Sequence, residues 1–176
     1  LALADEAHKL GAETILITTK DVQKSYKIIK VKSASEMQTA VENEFNNADC
    51  VIMAAAVADY RVKNHSEQKI KKTDSDTITL ELVKNPDILK ELCAKKTTQI
   101  VVGFCAESEK LIENAKEKTQ KKGCDYLIAN DISRQDIGFS SDYNEVIILD
   151  KNGGQKRLEK ASKNEIARQI LEVIYE

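Results

Sequence analysis

Cys50-Val51-Ile52-Met53-Ala54-Ala55-Ala56-Val57-Ala58-Asp59-Tyr60-Arg61 is the stretch on which the fold turns. Residues 50–56 form an unbroken apolar run, the pattern of a strand buried on both faces. The apolar run 51–58 is far too short to span a bilayer. The side chains then shrink, and an acid follows. In open α/β sheets, ligands bind beyond the carboxyl ends of the strands. Small residues let a flat base approach the backbone, and Asp59 can accept hydrogen bonds from an amino or hydroxyl group. Close helix–sheet packing, with Asp59 as a cap, accounts for the same residues without a ligand.

Working outward, strands and helices alternate. Upstream, residues 1–10 read as the end of a helix stopped by Gly11. Residues 14–18 and 27–31 read as short β-branched strands. A helix capped by Ser33 or Ser35 runs to about residue 47, with Met37, Val41 and Phe45 four apart. Downstream come a helix over 86–96, a strand over 99–104, a helix over 108–122 closed by Gly123, and a strand over 125–129. A hairpin turns at Asn152-Gly153-Gly154 after a strand over 144–150. A closing helix over 162–175 aligns Ile166, Ile170 and Ile174. Continuous apolar strands between helices argue for a Rossmann-like, doubly wound α/β domain with a mostly parallel sheet flanked by helices. One stretch breaks the alternation. Residues 69–83 read as strand, turn (Thr73-Asp74-Ser75-Asp76) and strand, with Ile78, Leu80 and Leu82 alternating, so a β-arm of about 68–84 is inserted. A doubly wound domain normally opens with a strand and a Gly-rich turn. This sequence opens within a helix, so a single domain over 1–176 lacking its first strand and Gly-rich loop is expected.

The 176 residues suit one core, and 41% hydrophobic with 32% charged residues is ordinary globular composition. A net charge of -2 argues against a protein that holds nucleic acid by its phosphates. No basic start precedes an apolar stretch, and no run spans a membrane. Cys50, Cys93, Cys105 and Cys124 have no metal-ligand spacing, and Cys50, Cys105 and Cys124 lie in or beside apolar runs. Reduced core thiols and a cytoplasmic location follow. His8 and His65 are too isolated for a metal site, so metal ligands stay unknown.

Further strand ends carry chemistry-bearing residues. Gly103-Phe104-Cys105-Ala106-Glu107 offers Phe104 to pack on a base or in the core, and Ile128-Ala129-Asn130-Asp131 ends a third strand. Asn85-Pro86-Asp87-Ile88 reads as a helix start, with Asn85 as N-cap and Pro86 at the first position. Its free amides can bind an anion, or the segment is a plain cap with Asp87 on the dipole. Within the helix over 108–122, Lys118 and Lys122 have no acidic residue three or four away and repel by roughly 0.2–0.5 kcal/mol unless an anion joins them. Two solvated lysines are the plainer alternative. Gln68-Lys69-Ile70-Lys71-Lys72 is either a charged strand edge or a lysine poised over a phosphate.

Taken in order, several segments are similar to phosphopantothenoylcysteine synthetase, the C-terminal half of the bacterial bifunctional coenzyme A biosynthesis flavoprotein. They are Ala55-Ala56-Val57-Ala58-Asp59-Tyr60-Arg61, Lys69-Ile70-Lys71-Lys72, Val83-Lys84-Asn85-Pro86-Asp87-Ile88, Gly103-Phe104-Cys105-Ala106-Glu107, the Lys118 and Lys122 pair, Ala129-Asn130-Asp131 and Gly138-Phe139-Ser140-Ser141-Asp142. The resemblance implies a ligase that joins 4′-phosphopantothenate to L-cysteine with CTP and Mg2+. The carboxylate attacks the α-phosphate of CTP, and the cysteine amine displaces CMP from the acyl-cytidylate. It implies that Met53, Ala54, Ala55, Asp59 and Phe104 hold the cytidine. The triphosphate is implied against Pro86, Asp87, Ile88 and Leu89, with Lys118 and Lys122 in support. Lys69 matches the lysine that makes the acyl-cytidylate. Asn85 and Asn130 are further candidates. The arm resembles the family's dimerisation arm, so a homodimer is expected, with no nucleic-acid or membrane partner. The family's Gly-rich N-terminal segment, which carries an Arg and an Asn, is not in the sequence. Nor is its flavin-dependent decarboxylase half, so a decarboxylase partner or fused domain is expected. Cys105 stands where the family usually has alanine.

Two other classes compete with this reading. A nicotinamide-dependent Rossmann oxidoreductase needs a Gly-x-Gly-x-x-Gly turn, which none of the 6 glycines forms. A non-catalytic nucleotide-binding or dimerisation module would lack turnover.

Overall fold

In the computed structural model, residues 1–64, 66, 68–71, 77–133, 136–137 and 141–176 are described. Five strands form the main sheet. They are β3 (Cys50–Met53), β6 (Ile100–Glu107), β7 (Tyr126–Asp131), β8 (Tyr143–Asp150) and β9 (Gln155–Ser162), in the order β3-β6-β7-β8-β9. β3, β6 and β7 run parallel, and β8 and β9 return antiparallel as a hairpin. β1 (Ile15–Thr18) and β2 (Lys27–Lys30) make a separate parallel pair. No described strand bridges β1 and β3. Both are apolar runs that stay half-buried along their whole length. Ile17 and Val51 nevertheless line one core, so the two sheets pack against a common layer.

Helices cover both faces, and the alternation of side chains along β6 and β7 decides which. Val102 and Ile128 join Ile166, Ile170 and Ile174 of α5 (Lys163–Tyr175). Leu3 of α1 (Ala2–Lys9) packs on that same cluster, and α1 lies against α5. On the other face, Val101 joins Met37, Val41 and Phe45 of α2 (Ala34–Phe45) and Ile88 and Leu92 of α3 (Ile88–Lys95). Leu127 and Ala129 meet Ala115 of α4 (Leu111–Lys122). The doubly wound, mostly parallel reading therefore holds. Ser33 caps α2 and Ser162 caps α5, each accepting an amide three residues on. No helix among the described residues is long and apolar enough to cross a membrane.

The arm differs from its sequence reading. Its base is a short antiparallel pair, β4 (Tyr60–Val62) with β5 (Leu82–Lys84). Residues 69–71 and 77–81 form no strand. Among the described residues no second layer buries its alternating apolar side chains, and a lone two-stranded ribbon is marginal. The expected turn at 73–76, with Lys72, lies outside the described residues, as do His65 and Gly138, Phe139 and Ser140.

Candidate functional site

The site is a step in the sheet. β3 stops at Met53, opposite Gly103, while β6 runs on through Phe104 to Glu107 beside β7. Gly103-Phe104-Cys105-Ala106-Glu107 is thus strand throughout, a correction to the expected end at 104. β7 offers it a second ladder after β3 has ended. Beyond Met53 the chain leaves the sheet, and Ala54, Ala55, Ala56, Ala58 and Asp59 are exposed, while Val57 turns back into the core.

Asn85 ties this exposed segment to the base of the arm. Its side-chain N–H donates to the Ala58 carbonyl at 2.8 Å, and its backbone N–H donates to the Asp59 carbonyl at 2.8 Å. Arg61 donates to the Lys84 carbonyl at 2.7 Å and to Asn85 Oδ1 at 3.2 Å. Asn85 is therefore not the N-cap expected from sequence. Asp87 takes that place, accepting from the Lys90 amide at 3.2 Å, and α3 starts two residues later. The carboxylate sits closer to the first-turn amides than the Asn85 amide, which is engaged elsewhere. Ile88 is buried and Leu89 half-buried in the core. Their backbone amides, not their side chains, are what this helix start offers outward.

Helix α4 also begins later than expected, at Leu111, because Lys110 adopts a left-handed turn with φ 47°. Lys118 and Lys122 project from it toward different acids. Lys122 Nζ donates to Asp87 Oδ2 at 2.5 Å, and Lys118 pairs with Glu107. The expectation of two mutually repelling, unpaired lysines is corrected. Their partners come from the N-cap of α3 and from β6, distant in sequence. Burial pushes the Asp87 carboxyl upward, but the Lys122 ammonium and the Lys90 amide outweigh it and hold it below the ordinary range. The Glu107 carboxylate holds the Lys118 ammonium above its ordinary value, against partial burial. Glu107 had no assigned role in the sequence reading, since only the extension of β6 brings it under α4.

Phe104 and Asn130 lie on the opposite face. Phe104 pairs with Ile128 and packs on the α5 core, and Asn130 pairs with Ala106 one step further along. The Asn130 Oδ1 is buried with no donor among the described residues. A buried amide carbonyl left so costs about 1–3 kcal/mol. The candidate residues thus divide across the edge of β6. An aromatic ring and an orphan acceptor stand on one side. A helix start and two lysines stand on the other. Lys69 is exposed in the arm and makes no hydrogen bond or ion pair with these residues. Among the described residues, no three His, Cys, Asp or Glu side chains converge as a metal site.

Known proteins share this arrangement of chain. A coenzyme A biosynthesis bifunctional protein CoaBC of Borreliella burgdorferi is 41% identical over 98% of this chain and 44% of its own length. The CoaBC of Bacillus subtilis is also 41% identical, over 98% of this chain and 43% of its own. The chain therefore spans less than half the length of these relatives. The crystal structure of the C-terminal domain of a CoaBC superposes with TM-score 0.79 at 34% identity, covering 98% of this chain and 78% of that one. Residues 1–176 match the family described as DNA/pantothenate metabolism flavoprotein C-terminal domain, and the chain belongs to that family.

Proposed function

We propose that this domain is a phosphopantothenate–cysteine ligase of coenzyme A synthesis, using CTP with Mg2+ as its substrate complex. The observation that carries the reading is the pair of cations that α4 delivers to the start of α3 and the end of β6, beside an open small-residue backbone. A triphosphate needs such cations and free helix amides. Pro86 fixes the entry to that helix start, and Asp87, Ile88 and Leu89 supply its first turn. Met53, Ala54, Ala55, Asp59 and Phe104 supply the cytidine side, and Asn130 Oδ1 is an acceptor for a ligand N–H or O–H. Asn85 acts by holding residues 58–59 in place rather than by touching the nucleotide.

Chemistry then follows from charge. When the 4′-phosphopantothenate carboxylate attacks the α-phosphate, negative charge grows on the phosphoryl oxygens. An ammonium placed there stabilises it. Lys69, an exposed side chain of the arm, is the ammonium assigned to this role. Mg2+ arrives with the phosphates, since such ions keep few protein ligands at nucleotide sites. The relatives' names support the coenzyme A assignment, and the lack of a membrane-crossing helix among the described residues suits a cytoplasmic enzyme working beside a decarboxylase half. The test is pyrophosphate release from CTP with 4′-phosphopantothenate, then mass-spectrometric detection of phosphopantothenoylcysteine on adding L-cysteine. CTP binding without either product would instead support a nucleotide-binding module.

A further inference from the structure

Behind the lysine pair, α3 and the end of α4 meet at a corner that the proposed chemistry does not use. Gly123 closes α4 in the left-handed conformation, with φ 75°, and Cys124 follows, fully buried. Cys93, half-buried on α3, packs against the core cluster that holds Cys124. A side chain built at Gly123 would meet the Cys93 Cβ at 3.9 Å, so the helix passes directly over this turn. Lys96, at the end of α3, fastens the same corner. It donates to the Gly123 carbonyl at 2.9 Å and to Asp125 Oδ2 at 2.8 Å. Asp125 in turn accepts from the Val101 amide at 2.9 Å.

We propose that Cys93 and Cys124 are a redox pair, and that a disulfide between them clamps α3 to the corner behind Lys122 and weakens nucleotide binding. The oxidant is a peroxide. Both S–H bonds break as the Sγ–Sγ bond forms. The two electrons and two protons pass to the peroxide, whose O–O bond breaks to give two waters. Cys93 is the sulfur a small oxidant reaches, and Cys124 is already in contact with it. The contact holds the Cys124 thiol below its ordinary value, which favours the thiolate needed to close the bond, while the same contact and burial push Cys93 up.

The consequence follows from where the two cysteines sit. Lys122 lies two residues before Cys124, and Asp87 caps the helix that carries Cys93. Drawing two sulfurs from contact to covalent distance moves these segments against each other. The shift falls on the ion pair and the helix start that face the phosphates. Cys50 and Cys105 belong to other strands, and Cys105 faces the same core without standing on α3 or at the corner. The effect on nucleotide rests on the ligase reading, but the cross-link does not.

The experiment treats the whole chain with hydrogen peroxide and compares it with protein kept in dithiothreitol. Peptide mapping should show the Cys93 peptide joined to the Cys124 peptide. Amide exchange over α3 should slow, and CTP affinity by calorimetry should fall roughly tenfold, as small misplacements of binding groups do. Dithiothreitol should reverse all three. Cys93→Ser and Cys124→Ser should abolish the response, with Cys93→Ala in reserve where serine unfolds the protein. Cys50→Ser and Cys105→Ser should keep it. Overoxidised Cys93 without a cross-link overturns the pair. A cross-link that leaves α3 exchange unchanged overturns the clamp. Reduced protein that binds no CTP counts against the ligase reading alone, and the cross-link and exchange still decide this proposal.

Discussion

Lys118 and Lys122 are each held by a carboxylate that a phosphate would have to replace or share. Both pairs are partly solvent-exposed, so each is worth about 0–1 kcal/mol and gives way readily to a charge-assisted phosphate contact. Lys118→Ala with Lys122→Ala should therefore weaken CTP by roughly tenfold or more while leaving cytidine affinity unchanged. Calorimetry with both ligands checks this, and equal losses would place the pair away from the phosphates. Lys69→Gln keeps the length of the side chain and removes its charge. It should abolish pyrophosphate release without changing the circular dichroism spectrum, and normal release would sink the assignment. At this scale the residue types were legible in the sequence, but their partners were not. Glu107 and Lys118 are separated by a loop and half a helix, and no local spacing rule connects them. The Asn85 reading missed because its side-chain amide was already engaged by Ala58 and Arg61, a tertiary contact that left Asp87 to cap.

Helix α3 comes close to β6 because residue 103 has no side chain. A Cβ there would lie 2.5 Å from one Leu89 methyl carbon and 2.9 Å from a Leu127 methyl carbon. Gly103→Ala should lift the first turn of α3 and cost about 1–3 kcal/mol by overpacking. Urea denaturation and CTP titration should both register the change. A neutral result in both would mean that Leu89 simply rotates away. The arm makes a second case. Ile70, Ile78, Leu80 and Leu82 are 60%, 68%, 60% and 54% exposed, which a lone ribbon has no means to cover. Leu80→Asp with Leu82→Asp should convert a dimer to a monomer in light scattering at micromolar concentration. A wild-type monomer would contradict dimerisation through the arm. Period-two alternation announced these apolar residues, but it did not say whether they were paired within the chain, and residues 77–81 are not strand.

Across the whole molecule, acid sensitivity should follow the carboxylates held by lysines. Burial opposes ionisation of Asp125, but the Lys96 contact, the Val101 amide and Lys151 outweigh it and depress its value. Asp5 is likewise depressed, through Lys24 and Tyr26, against burial. A depressed carboxyl binds fewer protons folded than unfolded, so its contribution is complete above its unfolded value near about 3.9 and disappears as pH falls below it. The urea midpoint should thus stay level from neutral pH to about 5 and then fall, and Asp125→Asn should flatten part of that fall. The doubly wound plan was legible because continuous apolar strands and four-spaced helix residues are local signals, whereas the extension of β6 past β3 depends on a neighbouring ladder that only the assembled sheet supplies. The same holds for the packing of α1 on α5, elements at opposite ends of the order. During synthesis α1 emerges first among these helices, and its partner emerges last. It must wait uncovered while the intervening strands form, so that a pause late in translation leaves Leu3 and its core without their lid.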